Sequence, residues 1–424
     1  MRRGRWLSLL VALVLPACGS WDLIEHGLPD AGVDRAATDA AGDADAAWDA
    51  AADAVSDAAD AGPDAAADAG ADATADAAAD AATDAGPDAA TDAGPDASGQ
   101  QDAAPTIHWT QASPGPATHI FSAIAGNAPD NVYAVVDPWI YRYNGTAWAR
   151  VYTAPTGRYF ASVWVAPTGE VFAAGDAVAA SCPGSCTGQA AFTADGMSAV
   201  APFTSVCGLD AATVYAVGTD SYNAGHLFQR GAGGTWTEIG SGTGTDLNTA
   251  CYVAPFGAHP VFITAHTTML RYEAGGLALE APDFAAAGLA NGYDELAQSF
   301  NAVWGHGPNV WAAGNGRRII ARDAAGNWSF VLNPSDPPTQ FGAIYRAGAA
   351  GADGEGYAGG DAYTTPEPTA VSLARLGPAG WAYASPNPFA PNVKVWGMWA
   401  AGSGEYFIVG SSSLDGIIYH GRTY

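Results

Sequence analysis

The stretch Asn301-Ala302-Val303-Trp304-Gly305-His306-Gly307-Pro308-Asn309-Val310-Trp311-Ala312-Ala313-Gly314 carries two short apolar segments around a Gly-Pro-Asn turn. β-Branched and aromatic residues bounded by turn formers read as paired strands. The same unit, a small-polar then apolar strand followed by a Val-aromatic-Ala strand, recurs along the chain. Ser122-Ala123-Ile124 leads to Val132-Tyr133-Ala134-Val135, Ser162-Val163-Trp164 to Val171-Phe172-Ala173-Ala174-Gly175, and Ser205-Val206-Cys207-Gly208 to Val214-Tyr215-Ala216-Val217-Gly218. Thr249-Ala250-Cys251 leads to Val261-Phe262-Ile263. Two weaker copies, Ala343-Ile344-Tyr345 with Gly356-Tyr357-Ala358-Gly359-Gly360 and Val395-Trp396-Gly397 with Tyr406-Phe407-Ile408-Val409-Gly410, bring the number to seven.

The second-strand aromatics Tyr133, Phe172, Tyr215, Phe262, Trp311, Tyr357 and Phe407 are spaced by 39, 43, 47, 49, 46 and 50 residues. That spacing belongs to propeller blades and not to helical solenoids. Each second strand is followed by a Gly-containing hairpin whose last strand often opens with Trp, as at Trp148, Trp236, Trp328 and Trp381. Four short strands per unit follow. The seventh unit ends after its third strand at Ile417 to Gly421, while Ile107-His108-Trp109-Thr110-Gln111 precedes the first unit and matches a fourth strand. The N-terminal strand is therefore expected to complete the last blade and leave no open edge. The fold class expected is all-β, a seven-bladed β-propeller over 105–424 closed by an N-terminal strand.

The chain carries a net charge of −27 with only 14% charged residues, so charge is concentrated somewhere. Between Asp30 and Asp102 lie 19 aspartates against the single base Arg35, a net −18. From Pro105 onward, 22 acids against 12 bases give −10. Neither part offers the clustered Lys and Arg that phosphate binding needs, which argues against nucleic acid as a partner. Residues 27–104 are built almost wholly from Ala, Asp, Gly, Pro and Thr, with Asp at every fourth position from Asp64 to Asp96. Like charges at i and i+4 and repeated Gly-Pro pairs oppose a helix, and nothing in the segment can form a core. It reads as a disordered acidic Ala/Asp-rich linker with a root-mean-square span of about 50 Å.

The N-terminus has the form of a secretory signal: Arg2, Arg3 and Arg5, the apolar run Trp6 to Leu15, and a small residue before Cys18. The run is shorter than the roughly 20 apolar residues that span a bilayer. Leu15-Pro16-Ala17-Cys18 resembles the bacterial lipobox, which implies a signal peptide over 1–17 and a lipidated segment over 18–26 with fatty acyl chains on Cys18. In the lipoproteins this N-terminus resembles, Gly19 in place of Asp leaves transport to the outer membrane permitted, and the outer membrane or cell surface is the expected location. Asp323-Ala324-Ala325-Gly326-Asn327-Trp328 is similar to the Asp-box hairpin of BNR propellers without its Ser. Together these features resemble myxobacterial-type surface lipoproteins with BNR/YVTN/WD40-like repeat propellers. Such motifs specify fold far better than function.

Once Cys18 is assigned to lipid, Cys182, Cys186, Cys207 and Cys251 remain as an even set that suits an oxidising compartment. Four cysteines allow three pairings. Cys182 and Cys186 share one loop, and Cys207 and Cys251 occupy inner strands of neighbouring blades at what look like equivalent places. These positions favour two disulfides over a zinc site, and no metal or cofactor is expected.

Insertions at Ala177–Gln189, Ala281–Ser299, Asn333–Gln340, Ala362–Ala370 and Ser385–Asn392 read as second-to-third and fourth-to-first strand connections, which emerge on one face. A repeat fold that elaborates one face commonly binds there. The candidate ligand-binding residues on it are Trp139, Arg158, Tyr159, Tyr222, Tyr293, Arg317 and Tyr363, with Asp137, Asp176 and Asp361 beside them. Aromatic and polar surface of this kind suits glycan or protein recognition. No nucleotide loop, HExxH helix or GxSxG elbow is present. A sialidase-like glycoside hydrolase would need an arginine cluster, and Arg158, Arg317 and Arg346 do not recur at equivalent positions, while Glu170 and Glu405 sit beside turns. The expected function is therefore non-catalytic: a monomeric, lipid-anchored envelope protein whose propeller binds an envelope protein or polysaccharide. A sialidase-like hydrolase and a structural envelope or pilus-associated component are the alternatives.

Overall fold

The computed structural model describes residues 107–423 apart from 113, 115–118, 185, 198–201, 223, 243–249, 266–267, 281–298, 316–317, 333–343, 352–353, 362–371, 385–388, 390–392, 403 and 413–414. The signal peptide, Cys18 and the acidic linker lie outside the described residues.

Seven four-stranded antiparallel sheets form the domain. The first strand, β1 (Ile107–Ala112), joins the last sheet. Blade 1 is β2 (Phe121–Ala128), β3 (Asn131–Val136), β4 (Trp139–Tyr143) and β5 (Trp148–Thr153). Blade 2 is β6 (Tyr159–Val165), β7 (Val171–Asp176), β8 (Val178–Cys182) and β9 (Thr193–Ala194); blade 3 is β10 (Phe203–Asp210), β11 (Thr213–Thr219), β12 (Gly225–Arg230) and β13 (Trp236–Gly242). Blade 4 comprises β14 (Cys251–Val253), β15 (Val261–Ala265), β16 (Thr268–Glu273) and β17 (Gly276–Leu279). Blade 5 comprises β18 (Phe300–His306), β19 (Asn309–Gly314), β20 (Ile319–Arg322) and β21 (Trp328–Leu332). Blade 6 comprises β22 (Ile344–Ala350), β23 (Gly356–Asp361), β24 (Ser372–Gly377) and β25 (Gly380–Tyr383). Blade 7 runs β26 (Val393–Ala400), β27 (Glu405–Ser412), β28 (Asp415–Thr423), and is completed by β1.

The first strand of every blade touches the first strands of both neighbours, so β2, β6, β10, β14, β18, β22 and β26 form the inner ring. Closure is as expected from the sequence: β1 pairs antiparallel with β28, Trp109 opposite Gly421 and Ala112 opposite Ile418.

The apolar runs of the second strands follow from burial on both faces. Seven hydrophobic clusters fill the seven seams between neighbouring blades. In blade 1, Val132, Ala134 and Val136 pack into the seam with blade 7, while Tyr133 and Val135 pack into the seam with blade 2. The repeated aromatic always faces the following blade: Tyr133 meets blade 2, Phe172 blade 3, and so on round to Phe407 against blade 1. All seven are buried. Each contributes about 1.5–3 kcal/mol relative to an exposed side chain.

The glycine that ends the repeat has a steric cause. A Cβ on Gly360 would sit 1.7 Å from the carbonyl oxygen of Ile344, and one on Gly314 would sit 1.8 Å from that of Ser299. The inner strand comes this close because it bulges there. Register shifts make Ser122, Ala161, Thr204, Asn301, Arg346 and Trp396 the bulged residues at equivalent places on six inner strands. Such bulges bend a strand and re-aim its side chains.

Both expected disulfides form, Cys182–Cys186 and Cys207–Cys251, with Cα separations of 5.9 and 5.8 Å. Cys207 and Cys251 are not at equivalent places, however. Cys207 lies opposite the repeat aromatic Tyr215, whereas Cys251 lies opposite Ile263, one residue past Phe262. Neighbouring inner strands are therefore bridged with a one-residue stagger.

The insertion expected at Ala177–Gln189 also needs correcting. Val178–Cys182 is the fully buried strand β8, entered through a one-residue turn at Ala177. The added residues fall between β8 and β9, at the opposite end of the sheet. A strand buried on both faces shows no alternation, so its sequence passed for a loop.

Candidate ligand-binding face

Because every sheet is antiparallel, second-to-third and fourth-to-first connections share one face. The bulged residues sit where the inner strands begin on that face, and each is matched by a polar residue ending the second strand of the same blade. These strand ends are Asp137, Asp176, Thr219, Asn315, Asp361 and Ser411. Several pairs bond directly. Asn301 Nδ2 donates to Asn315 Oδ1 at 2.9 Å, Arg346 Nε and Nη2 donate to Asp361 Oδ2 at 3.0 and 2.9 Å, and Trp396 Nε1 donates to Ser411 Oγ at 3.3 Å. In blades 1 and 3 the bulged hydroxyls instead donate to backbone, Ser122 to Val135 and Thr204 to Val217. The result is a set of polar groups around much of the mouth of the inner ring, interrupted in blade 2, where the bulged residue is Ala161. Arg346 and Asp361 are buried as an ion pair, with the guanidinium 4.6 Å from the Trp396 ring centroid.

Deeper along the inner strands the lining is aromatic and tight. The ring of Trp399 comes to 2.8 Å from the Cβ position of Gly126, Trp164 to 2.6 Å at Gly208, Tyr252 to 2.5 Å at Gly305, and Trp304 to 2.3 Å at Gly348. Burial pushes the Tyr252 hydroxyl up to about 12. Polar groups therefore concentrate at the mouth.

Outside the ring, blades 1 and 2 carry the strongest concentration of candidate residues. Trp139 opens β4 half-buried, in edge contact with His119 at 4.8 Å between ring centroids, and Arg150 stands 5.8 Å from the Trp139 ring. His119 Nδ1 bonds to Asp137 Oδ2. Asp137 adopts a left-handed backbone with φ +47, and its carbonyl accepts from Phe160 N–H at 2.8 Å, tying the blade 1 turn to the start of β6. Tyr159 opens β6 opposite Asp176. Its hydroxyl is held above its ordinary pKa by burial first, then by the Asp176 and Asp137 carboxylates. Arg158 is exposed at the end of the turn Pro155–Arg158, closed by its N–H to the Pro155 carbonyl. On blade 3, Tyr222 is 88% exposed in a turn organised by Asp220, whose Oδ1 accepts from the Tyr222 and Ala224 N–H groups at 2.8 Å. Those backbone bonds hold the Asp220 carboxyl below its usual range, the one to Ala224 foremost.

Of the candidate residues, Tyr159 is brought together with Asp176 and with the Asp137 turn, while Trp139 packs against His119 on the side of blade 7. Arg158 and Tyr222 share the face, on adjoining blades. Tyr293, Arg317 and Tyr363 lie outside the described residues. His119 and Ile120 immediately precede β2 and escaped the sequence reading because the contacts of His119 with Asp137 and Trp139 form only once the blade 1 sheet is assembled. The bulged residues escaped it too, although a polar residue at the second position of the inner strand is a usable signal. Glu170 and Glu405 open second strands at the opposite face. Among the described residues no three His, Cys, Asp or Glu side chains are grouped to hold a metal ion.

No protein-family model and no curated protein matches the sequence. Solved structures share the fold at low identity. The WD40 propeller domain of Doa1 is 11% identical with a TM-score of 0.54 over 75% of this chain and 98% of that one. Virginiamycin B lyase from Staphylococcus aureus is 11% identical at 0.56 over 75% and 100%. YCF48 bound to D1 peptide is 13% identical at 0.53 over 76% and 97%. At these identities the likeness establishes a seven-bladed propeller of WD40-like architecture and nothing about activity.

Proposed function

We propose that this chain is a lipid-anchored envelope protein, held through Cys18 and carried on its acidic linker, whose propeller binds a protein or glycan partner without catalysis. The observation that carries the binding reading is the placement of exposed apolar side chains. Of five large hydrophobic residues exposed among those described, Ile120, Tyr159 and Tyr222 all lie on the polar-ringed face of blades 1 to 3. Exposed apolar surface rimmed by polar groups marks interaction sites. The propellers of similar architecture include YCF48 in complex with a peptide, which accords with a binding role. The arginine at the mouth, Arg346, is neutralised by Asp361, which favours recognition over a sialidase-like anion clamp.

The test has two arms. Metabolic labelling with palmitate, followed by outer-membrane fractionation, should show label in the wild type and none in Cys18→Ala. Glycan arrays and immobilised envelope fractions probed with the purified protein should give binding that Tyr159→Ala weakens. Hydrolysis of a chromogenic sialoside would instead establish the hydrolase alternative, and envelope localisation with no ligand of any class would favour the structural one.

A further inference from the structure

We infer that the blade 1 and 2 sector of this face takes a basic side chain, lysine or arginine, from a partner protein, seated against Tyr159 between the Asp137 and Asp176 carboxylates; this rests on the binding reading above. The apolar part of the surface is Ile120, 38% exposed just before β2, and Tyr159, 36% exposed at the start of the neighbouring inner strand β6. Its charge comes from two carboxylates at equivalent places on adjacent blades, Asp137 just after β3 and Asp176 at the end of β7; Asp176 lies opposite Tyr159 in the sheet, and the Asp137 carbonyl accepts from the N–H of the next residue, Phe160. Asp137 is engaged by His119, whereas Asp176 has no hydrogen-bonded or ionic partner among the described residues.

Placing like charges on either side of an aromatic costs Coulomb energy that a cation between them relieves. A neutral sugar hydroxyl can donate to one carboxylate but brings no opposite charge and leaves the repulsion between the two largely in place, which is why a basic side chain fits better than a glycan. The aromatic face adds a cation–π contact, about 0.5–1 kcal/mol at exposed sites, and the aliphatic stem of lysine or arginine covers Ile120 and Tyr159. The nearest bases do not fill the position. Arg150 is held over Trp139, and Arg158 forms no ion pair among the described residues.

The test uses the purified full chain and a dye-labelled Gly-Leu-Arg-Leu-Gly peptide, with its citrulline analogue as the neutral isostere, followed by fluorescence anisotropy at about 0.15 M salt. A single cation keeps association with the acidic linker weak. The arginine peptide should bind roughly fivefold or more tightly than the citrulline peptide, in line with two partly exposed charge contacts. That gap should disappear in Asp137→Asn/Asp176→Asn and shrink in Asp176→Asn alone. It should persist in Asp323→Asn, which removes the same charge on the opposite face. Asn tolerates the left-handed backbone at 137, and the single variant leaves that turn untouched. Equal binding of the two peptides, absence of binding by either, or a gap that survives the double substitution or vanishes equally in Asp323→Asn would overturn the inference. An N-acetylglucosamine hexamer that binds and is lost in Tyr159→Ala, with no arginine preference, would overturn it while leaving the binding reading intact.

Discussion

Trp109 on the first strand of the propeller lies opposite Gly421 on the last, and its indole reaches within 2.8 Å of where a Cβ on Gly421 would stand. The same indole meets Phe389 and Tyr357 edge-on, at 5.2 and 6.0 Å. A ring closed without a covalent link depends on such contacts. Trp109→Ala should cost about 2 kcal/mol, less than the roughly 3–5 kcal/mol of a fully buried Trp because the indole is half exposed. Gly421→Val should destabilise as well by forcing the indole out. Urea denaturation followed by tryptophan fluorescence measures both.

The repeat glycines should divide sharply by surroundings. Gly360→Ala places a methyl against the Ile344 carbonyl, a backbone atom with little freedom to move, and overpacking of this kind costs about 1–3 kcal/mol or more. Gly377→Ala, with nothing within 4 Å of its Cβ position, should change stability by less than about 0.5 kcal/mol. Equal effects in thermal unfolding would refute the close-approach explanation.

The two disulfides should differ in weight. Cys207–Cys251 closes a separation of 44 residues between blades 3 and 4, while Cys182–Cys186 closes one of 4. Loop-closure entropy assigns about 4 kcal/mol to the first and about 2 kcal/mol to the second. Double serine variants compared by denaturation without reductant test the order, and the difference should vanish when dithiothreitol is present.

Removing one member of the buried ion pair should be severe. Arg346→Met leaves the Asp361 carboxylate buried without its cation, at a cost of about 3–5 kcal/mol. Arg346→Met/Asp361→Leu should recover most of that loss, and a double-mutant cycle gives the coupling directly.

His420 predicts a pH dependence. It stacks on Phe407 at 4.0 Å and contacts Glu405 at 2.6 Å, and burial holds its pKa below the ordinary value of 6.5 despite that carboxylate. As pH falls through 6.5 the unfolded chain gains a proton that the folded protein does not, so stability declines until the folded imidazole also titrates. His420→Phe should flatten the fall in Tm between about pH 7 and 5; an unchanged slope would place the titrating group elsewhere.

Much of this was legible in the residues. Seven copies of the Val-aromatic-Ala unit specify seven blades because each aromatic must be buried against a following neighbour, and an unmatched strand at Ile107 to Gln111 beside a unit lacking its fourth strand specifies how the ring closes. The cysteine pairs were legible for the same reason: blade assignment places Cys207 and Cys251 on adjoining inner strands.

What the sequence could not determine is what depends on the spacing between strands instead of the order along them. The bulge that turns Arg346 and Asn301 toward their partners Asp361 and Asn315 follows from the curvature of the inner ring, which no single blade's sequence encodes. Asp137 of blade 1 and the Tyr159–Asp176 pair of blade 2 become one surface only when the two sheets pack side by side, with His119 added from the segment just before β2. Hydrophobic periodicity fixes which side chains are buried within each blade; the convergence of charge and aromatic surface arises only when the blades are set around a common axis.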